Sequence, residues 1–327
     1  MSQYSIYKTK SRVFLRKFLK FLLFLIPIAV NGQSLKSPGS GVLLKYNLTQ
    51  NPPITFYESK SKEIIIGDGH LIYKFSSDGR LLLKFVIPNT NAKGKIFTGI
   101  TGDYTNDNNC FIEQSTQLLV FDFITRKINS VVNTYGEHAQ RDSAGNYYSL
   151  YQYFNEKENV VENKMKVISN NGKVFTYDTS IDLGADNFQI IKNDIVMYVP
   201  NSRSIFLLPI VGINYGKIKT IKANLPDDKT VRYLGEVNGK NIFQYFDYKK
   251  KTDIFCFFDD KMKLIKKQAL SLPFEPISEI FKKQDDGDWL TEFPSGNIYS
   301  FNNKKIYMMR NTEKGTFIYD LGSLLNL

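Results

Sequence analysis

Glu137 and His138 stand side by side just ahead of Arg141, in a chain with only two histidines. An imidazole beside a carboxylate changes charge near neutral pH, so it suits a general base or a metal ligand. Asp103, Asp186, Asn187, Arg232 and Glu279 occupy short strand-like stretches of the same kind as the one around His138. Carboxylates and amides converging from several strands are what a hard divalent cation takes as oxygen ligands. Without such convergence the same eight residues form a solvated, ligand-facing lining. The other histidine, His70, follows Gly67-Asp68-Gly69 and reads as a hairpin residue. Two histidines rule out a multi-histidine zinc site. Nucleophile and metal motifs of the forms G-x-S-x-G, H-E-x-x-H and C-x-x-C are absent. Asp285-Asp286-Gly287-Asp288 matches a fragment of a calcium loop without the remaining ligands, so a β-turn is expected there, with Trp289 packing in the strand that follows. No catalytic residue, metal ligand or cofactor is assigned on these grounds.

The elements that would position these side chains follow from a repeat. An apolar–aromatic–x–apolar pattern begins at Ile72-Tyr73-Lys74-Phe75 and returns at Leu118–Phe121, Met165–Ile168, Ile205–Leu208, Ile254–Phe257 and Ile298–Phe301. Several copies run into polar turns such as Ser76-Ser77-Asp78-Gly79 and Ser169-Asn170-Asn171-Gly172. The copies recur at roughly 40–49 residues, the span of one four-stranded propeller blade. Upstream of each lies a polar turn entering an apolar strand: KEIIIGD, DNNCFIEQ, DSAGNYYSLY, KNDIVMYV, NGKNIFQYF and DDGDWLTEF. Further upstream come the shorter stretches TGITGD, TYGEHAQ, LGADNFQII, VRYLGEV and ISEIFKK, which hold the candidate site residues. Asp, Asn and Gly at these turns close tight hairpins.

A four-stranded antiparallel sheet cannot cover its own apolar faces, whereas six packed around an axis can, leaving only short edges. The expected fold is therefore all-β: a six-bladed β-propeller of four-stranded antiparallel blades over residues 51–327. Closure is expected to use Gly41–Leu48 or Gly315–Leu321 as the last outer strand. The shorter upstream stretches would then line the channel.

DSAGNYYSLY followed by KVISNNGKVF resembles the repeat of the six-bladed NHL and TolB-like propellers, in which a D-x-x-G-N-x-Y strand leads to an apolar strand and a glycine turn. The resemblance spans roughly residues 50–320, and the fourth copy departs from it where LLPIVGINYG replaces the polar turn. It implies the fold, and a range of roles running from protein-, ligand- and RNA-binding modules to lyases and hydrolases. A fold of this breadth does not by itself assign function.

Residues 1–32 read as a signal peptide, with basic residues from Lys8 to Lys20, an apolar run Phe21–Val30 and cleavage near Gly32. That run is too short to span about 30 Å of hydrocarbon as a helix. Residues 33–50 are a leader or closing strand, with the flexible Ser37–Gly41 at its start. Setting aside the six basic residues of the leader brings the formal charge from +11 to +5, which argues against nucleic acid as a partner. The cluster Lys249-Lys250-Lys251 sits between two strand-like runs and is expected in a solvated hairpin. Cys110 and Cys256 fall in the second blade and in the fifth, too far apart for a disulfide, so two free buried thiols are expected.

Taken together, the sequence favours an exported, non-enzymatic monomer, periplasmic or secreted and without a membrane span in the mature chain. Its partner would be a protein, peptide or glycan held on one face. The alternative is a metal-assisted hydrolase or lyase with its site in the central channel.

Overall fold

The computed structural model describes residues 41–44, 54–87, 97–103, 106–114, 117–133, 140–142, 144–179, 188–191, 193–212, 214–227, 230–270, 274–277, 295–302 and 304–327. Gly41–Leu327 form one unit. Its first strand, β1 (Val42–Leu44), finds its partner only at the far end of the chain.

Blade one comprises β2 (Ile54–Glu58), β3 (Ile64–Asp68), β4 (Leu71–Phe75) and β5 (Leu81–Val86), paired in that order. Blade two repeats the plan with β6 (Phe97–Gly102), β7 (Asn109–Gln114), β8 (Gln117–Asp122) and β9 (Lys127–Asn133). Blade three holds β10 (Gln140–Arg141), β11 (Tyr147–Asn155), β12 (Val160–Ile168) and β13 (Val174–Thr179). In blade four, β14 (Phe188–Ile191), β15 (Asp194–Val199) and β16 (Ser204–Val211) pair in order, and both β17 (Asn214–Tyr215) and β18 (Lys219–Lys222) then pair with β16. Blade five is β19 (Arg232–Val237), β20 (Lys240–Asp247), β21 (Thr252–Phe258) and β22 (Leu264–Ala269). Blade six runs β23 (Asn297–Asn302), β24 (Lys305–Thr312), β25 (Gly315–Asp320) and then β1.

The first strand of each sheet is innermost. β2 lies beside β6 and β23, β14 lies beside β10 and β19, and β19 lies beside β23. This is the expected six-bladed propeller. Inner strands run from an entry face, where the chain arrives from the preceding blade, to an exit face, where the hairpin to the second strand lies. Hairpins between second and third strands therefore return to the entry face.

The residue types explain the layering. Middle strands are covered on both faces by neighbouring blades and read as unbroken apolar runs, as in the wholly buried β3. Outer strands are wetted on one side and alternate, as in β5. Buried clusters join adjacent blades, such as Tyr57, Ile65, Leu119 and Phe121 between the first and second, or Val196, Tyr198, Phe243 and Phe258 between the fourth and fifth. The polar turn seen in the sequence is one loop used repeatedly. Over Ser59–Glu63, Ser76–Arg80, Asp142–Asn146, Ser169–Lys173 and Asp259–Lys263, the first residue's N–H donates to the fifth residue's carbonyl. The fourth residue has positive φ each time, with Gly79, Gly145 and Gly172 filling it without strain.

The sixth copy of the sequence pattern sits elsewhere than expected. Ile298–Phe301 belongs to β23, the innermost strand of blade six, not to its third. The third strand is β25. Apolar–aromatic alternation suits a half-buried first strand as well as a third, so local pattern alone cannot tell them apart. DDGDWLTEF lies outside the described residues, and of ISEIFKK only Ile277 is described, bridging Thr312. Both terminal segments take part in closure. β25 is the third strand and β1 the outermost, in the register Val42↔Ile318 to Leu44↔Thr316. Between blades six and one, Ser300 Oγ donates to the Phe56 carbonyl at 2.7 Å, and the Glu58 N–H donates to Asn302 Oδ1 at 3.2 Å.

Cys110 in β7 and Cys256 in β21 are free and buried, as the blade assignment implied. Burial pushes the Cys256 thiol up to about 11 and the Cys110 thiol higher still. Neither is expected to react with a thiol reagent at neutral pH until the protein unfolds, because the thiolate is the reactive form. A non-reduced sample should then titrate as two thiols in denaturant and none in buffer; fewer than two in denaturant overturns the blade register.

Candidate functional site

The candidate residues separate by face. Arg232 opens β19 at the entry face, half-buried and paired across the strand with Gln244. Asp103 lies just past the end of β6, 8% exposed, in the turn at the exit face. Arg141 also lies at the exit end, its backbone paired with Tyr147; its side chain is outside the described residues. An inner strand of six residues separates the faces by about 17 Å, so Asp103 and Arg232 do not share one site. Glu137, His138, Asp186, Asn187 and Glu279 lie outside the described residues. Among the described residues, no three of the His, Cys, Asp and Glu side chains are placed to hold a metal ion. His70 is exposed in the hairpin between β3 and β4, and Lys249–Lys251 are exposed between β20 and β21, both as expected.

Asp142, at the head of the D-x-x-G-N-x-Y motif, braces its own turn. Its Oδ1 accepts the N–H groups of Ala144 and Asn146, both at 2.9 Å. Its Oδ2 accepts Asn146 Nδ2 at 2.8 Å and the Tyr148 hydroxyl at 3.0 Å. With both oxygens engaged in this way, the motif carries the blade and not a ligand.

A polar cluster that sequence reasoning missed lies between blades five and six near the entry face. Asp253 is the second residue of β21 and is 3% exposed. Gln244 Nε2 donates to its Oδ1 at 2.7 Å. Asn297 Nδ2 and the Tyr299 hydroxyl donate to its Oδ2 at 3.0 and 2.8 Å. Burial raises the Asp253 carboxyl above its ordinary value, against the pull of the donors Tyr299 and Asn297. The same burial, with the neighbouring carboxylate, lifts the Tyr299 phenol well above the usual range. Arg310 is the cross-strand partner of Asn297, and its guanidinium lies over the Phe274 ring at 5.5 Å. Arg310 Nε and Asn297 Oδ1 are buried without a protein partner. One free donor and one free acceptor on the same strand pair suit a bridging water or a small hydroxyl group. The sequence signal is faint: Asp253 and Arg310 are single charged residues at the margins of apolar runs, and nothing local links them.

Among the described residues, the exposed aromatic groups lie on the entry face. The hairpin of β11 and β12 raises Tyr153 (49% exposed) and Phe154 (53%), and that of β20 and β21 raises Tyr248 (55%).

No family model matches this chain, and no curated protein matches it in sequence. Solved structures do share its fold. A luciferin-regenerating enzyme is similar at a TM-score of 0.53 and 8% identity, over 86% of this chain and 94% of that one. A chain from Bacteroides fragilis described as a presumed exported protein is similar at 0.50 and 10%, over 84% of each. A calcium-binding protein, regucalcin, from Agrobacterium tumefaciens is similar at 0.50 and 11%, over 86% and 94%. At these identities the likeness is one of fold.

Proposed function

We propose that this chain is an exported β-propeller that binds a protein, peptide or glycan on its entry face, without a resident cofactor and without nucleic acid. The observation that carries the reading is the set of solvent-facing aromatic side chains on that face, Tyr153, Phe154 and Tyr248. Aromatic rings are costly to leave in water and offer flat surfaces for sugar stacking or protein contact. Export rests on the basic-then-apolar leader with cleavage near Gly32, which directs the chain to the periplasm or the medium. A structural neighbour carrying the description of a presumed exported protein accords with this. Among the described residues no helix is long and apolar enough to cross a membrane.

Binding of the purified full chain to a glycan array and to extracellular proteins tests the reading. Tyr248→Ser and Phe154→Ser are expected to weaken the interaction at least tenfold while leaving the melt unchanged. Binding unaffected by both substitutions overturns the entry-face assignment. A melt in EDTA and then with calcium, magnesium or zinc decides between this reading and the metal-assisted enzyme. No shift is expected, whereas a metal present at a hundred times its Kd would add about 2.7 kcal/mol. Such a shift would instead favour a metal-assisted hydrolase or lyase working through Glu137, His138 and Asp186.

A further inference from the structure

Two hairpins on the entry face differ in charge. In blade three, β11 and β12 stay paired out to Asn155↔Val160, while β13 pairs β12 only from Asn163 onward. Three residues of β12 therefore run on past the outer strand, lifting the hairpin about 10 Å beyond it. Phe154 faces Val161 across the hairpin, and both are more than half exposed. The loop beyond holds Glu156, Lys157 and Glu158. Glu162, next to Val161, is paired with Lys164 at 2.7 Å. The tip is thus apolar with an acidic excess.

In blade five the corresponding tip is Tyr248-Lys249-Lys250-Lys251, all exposed. Asp247 offsets one of these three charges: its Oδ1 accepts the Lys249 and Lys250 N–H groups at 3.0 and 3.1 Å, and its Oδ2 stands 3.9 Å from Lys250 Nζ, which leaves the tip with a net positive charge. This tip is aromatic and basic.

The ring relates the two tips by geometry. Consider a two-fold axis that lies in the entry face and runs from blade one to blade four. Rotation about it brings a second copy face to face and lays blade three of each copy over blade five of the other. One operation then matches acid to base twice, and seats Phe154 and Val161 against Tyr248 at both places. Self-complementarity of this kind is what an isologous dimer requires, and opposed charge fixes its register. An anionic surface would use only the lysines, and a sugar only the rings; neither uses the acidic tip.

We infer that the entry face is an interface between two copies of this chain, with the blade-three hairpin of each seated on the blade-five hairpin of the other. This names a partner for the face proposed above and so rests on that reading, while replacing the monomer expected from sequence.

Sedimentation of the purified full chain over a range of concentration and salt tests it, with Glu156→Lys/Glu158→Lys as one variant and Lys249→Glu/Lys250→Glu as the other. The wild type is expected to dimerise, about tenfold more weakly when salt shortens the Debye length severalfold. Each variant alone is expected to be monomeric, because each carries like charge on both tips. An equal mixture of the two variants is expected to form a heterodimer, since both contacts regain opposite charge; that recovery also shows that both variants fold. A wild type that stays monomeric throughout, or a dimer indifferent to both reversals, overturns the inference. If the wild type is monomeric yet binds a glycan or exported protein that Phe154→Ser releases, the inference fails and the binding reading stands. If neither occurs, both fail.

Discussion

Asp253→Ala is expected to destabilise the protein by about 3 kcal/mol near neutral pH, measured by urea denaturation. The substitution leaves Gln244 Nε2, Asn297 Nδ2 and the Tyr299 hydroxyl without their shared acceptor in a buried place, and removes a carboxylate whose charge favours the Arg310 cation. Each buried polar group left unpaired costs about 1–3 kcal/mol, partly offset by no longer desolvating a charge. Asp253→Asn keeps an acceptor, and the Tyr299 hydroxyl can turn to accept, so a loss of about 1 kcal/mol is expected. The pair also separates by pH. Because burial raises the Asp253 carboxyl in the folded state, the folded protein holds this proton more tightly than the unfolded chain. Its contribution to stability is complete below the ordinary value of 3.8 and is lost as pH rises from there through the raised value. The stability of Asp253→Asn relative to wild type should therefore improve with pH across that window. A flat difference would show that Asp253 does not titrate as a buried group.

Leu44→Ala is expected to cost about 3 kcal/mol, the usual range for emptying a leucine site that the neighbours cannot fill. Leu44 is fully buried and packs with Phe56, Phe75, Met309 and Ile318, so it ties the outermost strand to the seam between blades six and one. Gly79→Ala attacks the same strand at its neighbouring residues, Leu43 and Val42. A Cβ there would lie 2.2 Å from the Leu43 carbonyl oxygen, on a backbone at φ +84° that L-residues rarely adopt. Both variants should lower the midpoint of urea unfolding. A Leu44→Ala change below about 0.5 kcal/mol, the level of an ordinary surface substitution, would mean that β1 does not close the ring.

Several features were legible from residues alone because their causes are local. A run such as Ile64-Ile65-Ile66 must be covered on both faces, and a Ser-x-x-Gly or Asp-x-x-Gly turn must reverse the chain, so blade strands and hairpins could be placed without coordinates. The free cysteines followed from the same register. Three matters were decided only by tertiary structure. Ile298–Phe301 has the same alternation whether it lies first or third in a blade, and only its packing beside β2 and β19 makes it innermost. Gly41–Leu48 and Gly315–Leu321 both read as closing strands, and only the pairing of β1 with β25 makes the first outermost and the second third in the blade. The Asp253 cluster draws on β20, β21, β23 and β24, four strands of two blades, whose polar residues look unrelated in sequence. Local patterning specifies pairs and turns a few residues apart. Which distant strands meet is set by covering apolar faces around the ring, and so are the site's neighbours.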